Sequence, residues 1–174
     1  MAVIRVHGRQ DGIQDVSEQA SFLARYGIGF EQWDVARLAD VPQHEGESDQ
    51  DHVLRVFGPE VERLMKTNGY LKADVVSLTP STPNLPTLLA KFDKEHLHNE
   101  DEVRFVVKGR GVFTIHNDTD EIVFDVEVYP GDLLVVPDGT WHWFSLCEDQ
   151  TIQCIRLFQS TEGWTPSYRQ TLSA

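Results

Sequence analysis

Three side chains that bind metals and one that binds anions fall within EHLHNEDEVRF, residues Glu95 to Phe105. His96 and His98 stand two apart, Glu102 follows, and Arg104 comes two after that. Successive side chains of an extended chain alternate faces, so His96 and His98 share one. Glu102 and Arg104 have the same parity, although Asn99–Asp101 can form a turn before them. Two imidazoles and a carboxylate are the facial set of non-haem iron, with positions left open for substrate and oxygen. A charged surface strand uses the same residue types, and spacing alone leaves both readings standing. His7, His44, His52 and His116 have no partner at ligand spacing and are expected to be structural.

A second stretch tips the balance. In GDLLVVPDGTWHWF, Gly131 to Phe144, the Pro137-Asp138-Gly139 run makes a tight turn and His142 opens the next apolar run. Together the two stretches resemble the paired motifs of the cupin superfamily. The first matches as His96-x-His98, Glu102 and Gly109. The second matches as Gly131, Pro137-x-Gly139 and His142. Two positions depart from the pattern: Ala90 stands where a glycine is expected, and Leu146 where an asparagine often closes the second motif. Neither is a metal ligand. The resemblance implies a mainly β protein with a cupin-type β-barrel (jelly roll), and a divalent ion held by His96, His98, Glu102 and His142. Three neutral imidazoles and one carboxylate would leave that ion a net positive charge. In octahedral geometry it would also keep open positions, which suits an anionic ligand binding through two oxygens.

The elements that must position these residues can be read around them. After Glu102, short apolar runs alternate with turn signals: EVRFVVKG, GVFTIHN, EIVFDVEV, DLLVVP, HWFSL and TIQCIRLF, separated by KGRG, NDTDE, YPGD and PDGT. This spacing predicts a sandwich or barrel. VIRV (Val3–Val6), Ile28–Val35 and Asp74–Thr79 read as further extended segments. The first half is richer in helix. A helix is predicted after Asp15, with Val16, Ala20 and Leu23 on its buried face and Gly27 as its stop. A second starts at a capping box formed by Ser48 and Asp51 and runs to about Asn68 before Gly69. Gly58-Pro59 interrupts it, as a kink or as a break between two abutting helices. TPSTPNLP is a loop, and PTLLAKF reads as a short helix packing Leu88, Leu89 and Phe92. A single domain is expected, with a mixed helical and strand part over 1–73, the barrel over 74–160 and a tail over 161–174.

Composition narrows the partners. The 174 residues carry 15 Lys and Arg against 28 Asp and Glu, a formal charge of −13 that disfavours nucleic acid and anionic membranes. An anionic substrate would therefore need a local positive site. No apolar run reaches the length of a membrane span, and the first residues lack a signal-peptide core, so a cytoplasmic protein is expected. Cys147 and Cys154 are expected to be free thiols there, with a disulfide as the less favoured alternative. A closed barrel leaves no obligatory edge to pair, so a monomer is expected.

Three longer segments narrow the family. KFDKEHLHNEDEVRFVVKGRGVF, VPDGTWHWF and IRLFQSTEGW are similar, in order and spacing, to the acireductone dioxygenase family from about Val75 to Trp164. That resemblance implies an enzyme of methionine salvage. Its substrate would be acireductone, 1,2-dihydroxy-3-keto-5-methylthiopentene, which reacts with O2. The implied cofactor is one Fe(2+) or Ni(2+) per chain, with Co(2+) or Mn(2+) also compatible with the ligands. Iron implies formate and 4-methylthio-2-oxobutanoate as products. Nickel implies carbon monoxide, formate and 3-methylthiopropanoate.

Beside the ligands, Arg104 is placed to hold an enediolate and favour its ionised form. Arg156, in IRLF, is a second candidate for binding the substrate, or else a structural ion-pair partner. Glu95, just before the first ligand, would support that ligand from behind or take part in proton transfer, or else be a solvent-exposed carboxylate. Phe92, Phe105, Phe144 and Trp164 could wall in the methylthio tail, although Phe105 has the opposite parity to Arg104. Two other readings stay open: another cupin dioxygenase acting on an enediol or diketone, and a non-catalytic cupin module.

Overall fold

The computed structural model describes residues 2–169. The chain begins with a hairpin, β1 (Val3–Val6) and β2 (Gly12–Ile13), followed by α1 (Val16–Arg25) and β3 (Gly29–Gln32). Three helices follow, α2 (Arg37–Asp40), α3 (Asp49–Val56) and α4 (Gly58–Asn68). Then come β4 (Lys72–Leu78), α5 (Leu85–Leu89) and β5 (His96–Leu97). The rest is strand: β6 (Glu102–Gly109), β7 (Gly111–Asn117), β8 (Ile122–Val128), β9 (Asp132–Val136), β10 (Trp141–Leu146), β11 (Ile152–Phe158) and β12 (Ser167–Tyr168).

The strands form two sheets, ordered β12-β5-β10-β7-β8-β1-β2 and β3-β9-β6-β11-β4, with every pairing antiparallel. Their inner faces share one core, in which Phe113, Phe124 and Phe144 of the first sheet meet Val106, Leu134 and Cys154 of the second. A separate core covers the outer face of the second sheet, where Val103, Phe105 and Val107 of β6 pack with Phe57, Val53 and Leu64 of the helices. From Glu102 to Val107 β6 is thus buried on both faces, with even-numbered residues pointing into the barrel and odd-numbered ones to the helices, while Lys108 is exposed. None of the described helices is long and apolar enough to cross a membrane.

Local signals account for the element boundaries. Ser48 accepts from the Asp51 amide at the start of α3. Pro59 sits in the first turn of α4, so the Gly58-Pro59 step separates two helices. Gly69 ends α4 at φ 75°, in the left-handed region that glycine enters without steric cost. At Gly109, with φ 74°, an added Cβ would lie 2.0 Å from the Thr151 carbonyl oxygen, so the turn from β6 into β7 requires glycine. The six strands predicted after Glu102 all form.

Three features depart from the sequence expectations. The buried face of α1 carries Gln19 and Leu23, whereas Val16 and Ala20 are exposed. Gln19 is drawn inward because its amide donates to the Ala2 and Ile13 carbonyls, groups that burial would otherwise leave unpaired. α2 and β12 were not anticipated. Part of the segment expected as a tail is strand, since Ser167 and Tyr168 pair with Leu97 and His96. Cys147 and Cys154 are free.

Candidate metal centre

The two sheets deliver the candidate ligands to one point between them. β5 lies beside β10 with His96 directly opposite His142. His98 follows β5, and Glu102 opens β6 in the facing sheet, opposite Val136 of β9. All four side chains are buried, and a donor atom from each lies within 4.8 Å of the others.

The hydrogen bonds around the imidazoles orient them for ligation. Each Nδ1 meets a backbone carbonyl: Lys94 for His96 at 2.6 Å, Thr165 for His98 at 3.2 Å and Thr140 for His142 at 2.8 Å. A carbonyl only accepts, so each Nδ1 carries the proton and each Nε2 of a neutral ring presents a lone pair. The Nε2 atoms of His98 and His142 then face Glu102 Oε2 at 3.0 and 2.9 Å, acceptor against acceptor. His96 Nε2 is buried with no hydrogen-bond partner. Several lone pairs converging on one buried point call for a cation, and three imidazoles with one carboxylate suit a divalent transition metal.

Protonation follows the same geometry. Burial pushes the Glu102 carboxyl upward, but the Arg104 charge, with hydrogen bonds from His142 and His98 when those rings are protonated in the metal-free protein, outweighs it and holds the carboxyl well below the usual range. Burial lowers His96 to about 4, so this ring is neutral near pH 7. Burial also lowers His142, but Glu102 overcomes it and the net shift is upward.

Arg104 occupies the space next to the ligands. It is 4% exposed, and its Nε donates to Glu102 Oε1 at 2.8 Å. Its guanidinium lies 5.1 Å from the ring centres of Phe144 and Trp164 and 5.8 Å from those of Phe92 and Phe113. Such rings stabilise a desolvated cation through their faces.

Residues 13–166 match the sequence model of the ARD/ARD′ family. The chain belongs to this family. Curated relatives named acireductone dioxygenase include one from Bacillus pumilus, 39% identical over 98% of both chains. Another, from Bacillus cereus, is 41% identical over 97% of this chain and all of that one. A solved structure of the Bacillus anthracis acireductone dioxygenase with a cadmium ion in its active centre has a TM-score of 0.88, 40% identity, and coverage of 97% of this chain and 98% of that one. The fold is therefore the cupin-type barrel of acireductone dioxygenases, and their agreement with this chain runs through nearly its whole length.

Within this family member, three of the residues singled out from the sequence make their main contacts outside the four-ligand cluster, each along one of the readings left open for it or away from the site. Phe105 points away from the metal centre and packs on Trp33 and Phe57, 4.5 and 4.8 Å between ring centres, because its odd parity on β6 turns it to the helices. Glu95 faces away from His96 and contacts His116 Nδ1 at 2.5 Å and Arg169 at 3.2 Å. Arg156, opposite Arg104 across β6 and β11, forms a two-pronged ion pair with Asp74 at 2.7 and 2.8 Å. It also lies 5.5 Å from the Trp164 ring, so it borders the aromatic wall while its charge is matched by Asp74. Phe92, Phe144 and Trp164 surround Arg104. Sequence reasoning missed Phe113, whose parity with Ile115 on the inner face of β7 was the available signal, and Thr165, which acts through its backbone alone.

Proposed function

We propose that this protein is a metal-dependent dioxygenase that cleaves acireductone with O2, acting as a monomer in the cytoplasm within methionine salvage. His96, His98, Glu102 and His142 are the ligands of one Fe(2+) or Ni(2+). The observation that carries the reading is the buried Arg104 guanidinium bonded to Glu102 inside an aromatic enclosure, directly beside four convergent donors. A divalent ion bound there would supply chelation of the two enediol oxygens and a site next to them for O2.

The side chains account for the rest. Arg104 faces the enediol oxygens, favours their ionised form and holds the anion against a chain whose overall charge is −13. Phe92, Phe113, Phe144 and Trp164 receive the methylthio tail and keep water from the reacting carbons. The backbone carbonyls at Lys94, Thr140 and Thr165 hold each imidazole with its Nε2 lone pair inward.

Since this chain presents the same four donors to either ion, the product set is expected to follow the metal. Iron-loaded protein should yield formate and 4-methylthio-2-oxobutanoate. Nickel-loaded protein should yield carbon monoxide, formate and 3-methylthiopropanoate. The test is reconstitution with each metal separately, followed by O2 uptake, headspace carbon monoxide and analysis of the acids. Absence of O2 uptake with acireductone in every metal form would leave a binding module instead. Identical products from both forms would place control in the pocket.

A further inference from the structure

A cluster outside the barrel interior touches the metal centre from behind. The alternation along β10 that turns His142 inward turns Trp141 outward, and His116 lies opposite Trp141 on β7. Into this outer face comes Arg169, the residue after β12. Its amide donates to the Glu95 carbonyl at 3.0 Å. Its guanidinium reaches Glu95 Oε1 at 3.2 Å, donates to Asp118, and lies 4.4 Å from the Trp141 ring centre. Glu95 also holds His116. One guanidinium therefore grips the residues immediately preceding two ligands, Glu95 before His96 and Trp141 before His142.

The segment that ends in Arg169 also crosses the front of the site. Thr165 supplies the carbonyl that meets His98 Nδ1. Trp164 lies 6.0 Å from the His98 ring and 5.1 Å from the Arg104 guanidinium. Pairing alone holds this segment weakly, since β12 pairs over only two residues; Trp164 packs on Phe158 at its start, 4.7 Å between ring centres, and the Tyr168 hydroxyl donates to the Lys91 carbonyl at 2.9 Å. The Arg169 fork adds charge-assisted bonds to two carboxylates and a ring face at once, which fixes the end of the segment to the outer face of the first sheet.

We propose that Arg169 is a positioning residue of the metal centre, latching residues 164–169 over the ligands so that Thr165 sets the His98 imidazole and Trp164 walls Arg104. Glu95 is the latch's main acceptor, which gives that carboxylate a positioning role in place of proton transfer. The latch works by geometry and fixed charge and needs no change of protonation.

This inference rests on the four-ligand reading, so cobalt(II) binding to the wild-type protein is measured first, by competition with a chromophoric chelator. If cobalt does not bind there, the metal reading itself fails. With wild-type binding established, Arg169→Ala is expected to weaken cobalt affinity by about 10- to 100-fold, the range typical for loss of a group that orients a ligand. Amide hydrogen exchange at Ser167 and at position 169, the positions of β12 and its end whose amides face β5, should accelerate in the same variant, while the Tm of the metal-free protein stays near wild type. Arg169→Lys, which keeps the charge and loses the fork, should fall between. His7→Ala, which removes an exposed hydrogen-bond contact with Asp125, should match the wild type throughout. If Arg169→Ala does not fold, the isosteric Glu95→Gln is read in the same way. Wild-type cobalt affinity in the variant overturns the proposal. So does a loss of affinity with unchanged exchange at Ser167 and position 169, because the effect would then bypass the latch.

Discussion

Replacing Arg104 by alanine removes a cation that the fold holds at 4% exposure against Glu102 and four aromatic rings. Water cannot readily take its place in that enclosure, so an anionic substrate would lose a charge-assisted hydrogen bond without replacement. Such a bond contributes about 1.5–3 kcal/mol. At 1.36 kcal/mol per factor of ten, kcat/KM should fall by about 10- to 150-fold. Metal content should not fall with it. Arg104 repels a cation and, by lowering the Glu102 pKa, makes that carboxylate a weaker base. Its removal therefore favours metal retention. Arg104→Lys keeps the charge but not the planar fork, and should lie between wild type and Arg104→Ala. The assay is steady-state O2 uptake with acireductone, each sample normalised to its measured metal. Wild-type kcat/KM in metal-replete Arg104→Ala would refute the role given to this residue. A parallel loss of metal and activity would refute it too, by showing that Arg104 holds the centre together rather than the substrate.

Other perturbations probe the same centre from different sides. His98→Ala should lose most of its metal and activity, because it removes one of four donors and the bond to Thr165, and full occupancy with normal turnover would refute the ligand assignment. Gly111→Ala should cost roughly 1–3 kcal/mol and reduce turnover, since its Cβ would lie 2.6 Å from the Phe144 ring that borders Arg104; an unchanged Tm in denaturation would show that the ring yields freely. The metal-free protein should lose stability as pH falls from about 6.5 to about 4, where the unfolded chain protonates His96 and the fold keeps it neutral. His142 has the opposite sign, with its stabilisation complete below about 6.5 and lost as pH rises through its raised pKa. Urea titrations of wild type and His96→Gln across this range should show a shallower acid slope in the variant, and parallel curves would refute the His96 contribution.

The ligands were legible in the sequence because parity gathers three of them on one face and a second stretch, similar to the other cupin motif, supplies His142. His96, His98, Glu102 and Arg104 share parity, and the barrel keeps that parity pointed inward through the turn at Asn99–Asp101. The same rule had already set Phe105 apart, and its place against Trp33 and Phe57 follows from odd parity on a strand buried on both sides. Where reading by pattern failed, a single tertiary contact decided the outcome. Gln19 lies inside because two backbone carbonyls need its amide, although α1 offers Val16 as the more apolar residue. β12 has two residues and so no periodicity to detect, and Arg169 looks like any charged residue near a chain end until the fold brings Glu95, Asp118 and Trp141 around it. Metal ligation is a local pattern of donors, which a sequence can spell. Orientation of those donors is a relation among distant segments, set here by backbone carbonyls at Lys94, Thr140 and Thr165, and carbonyls are common to every residue type.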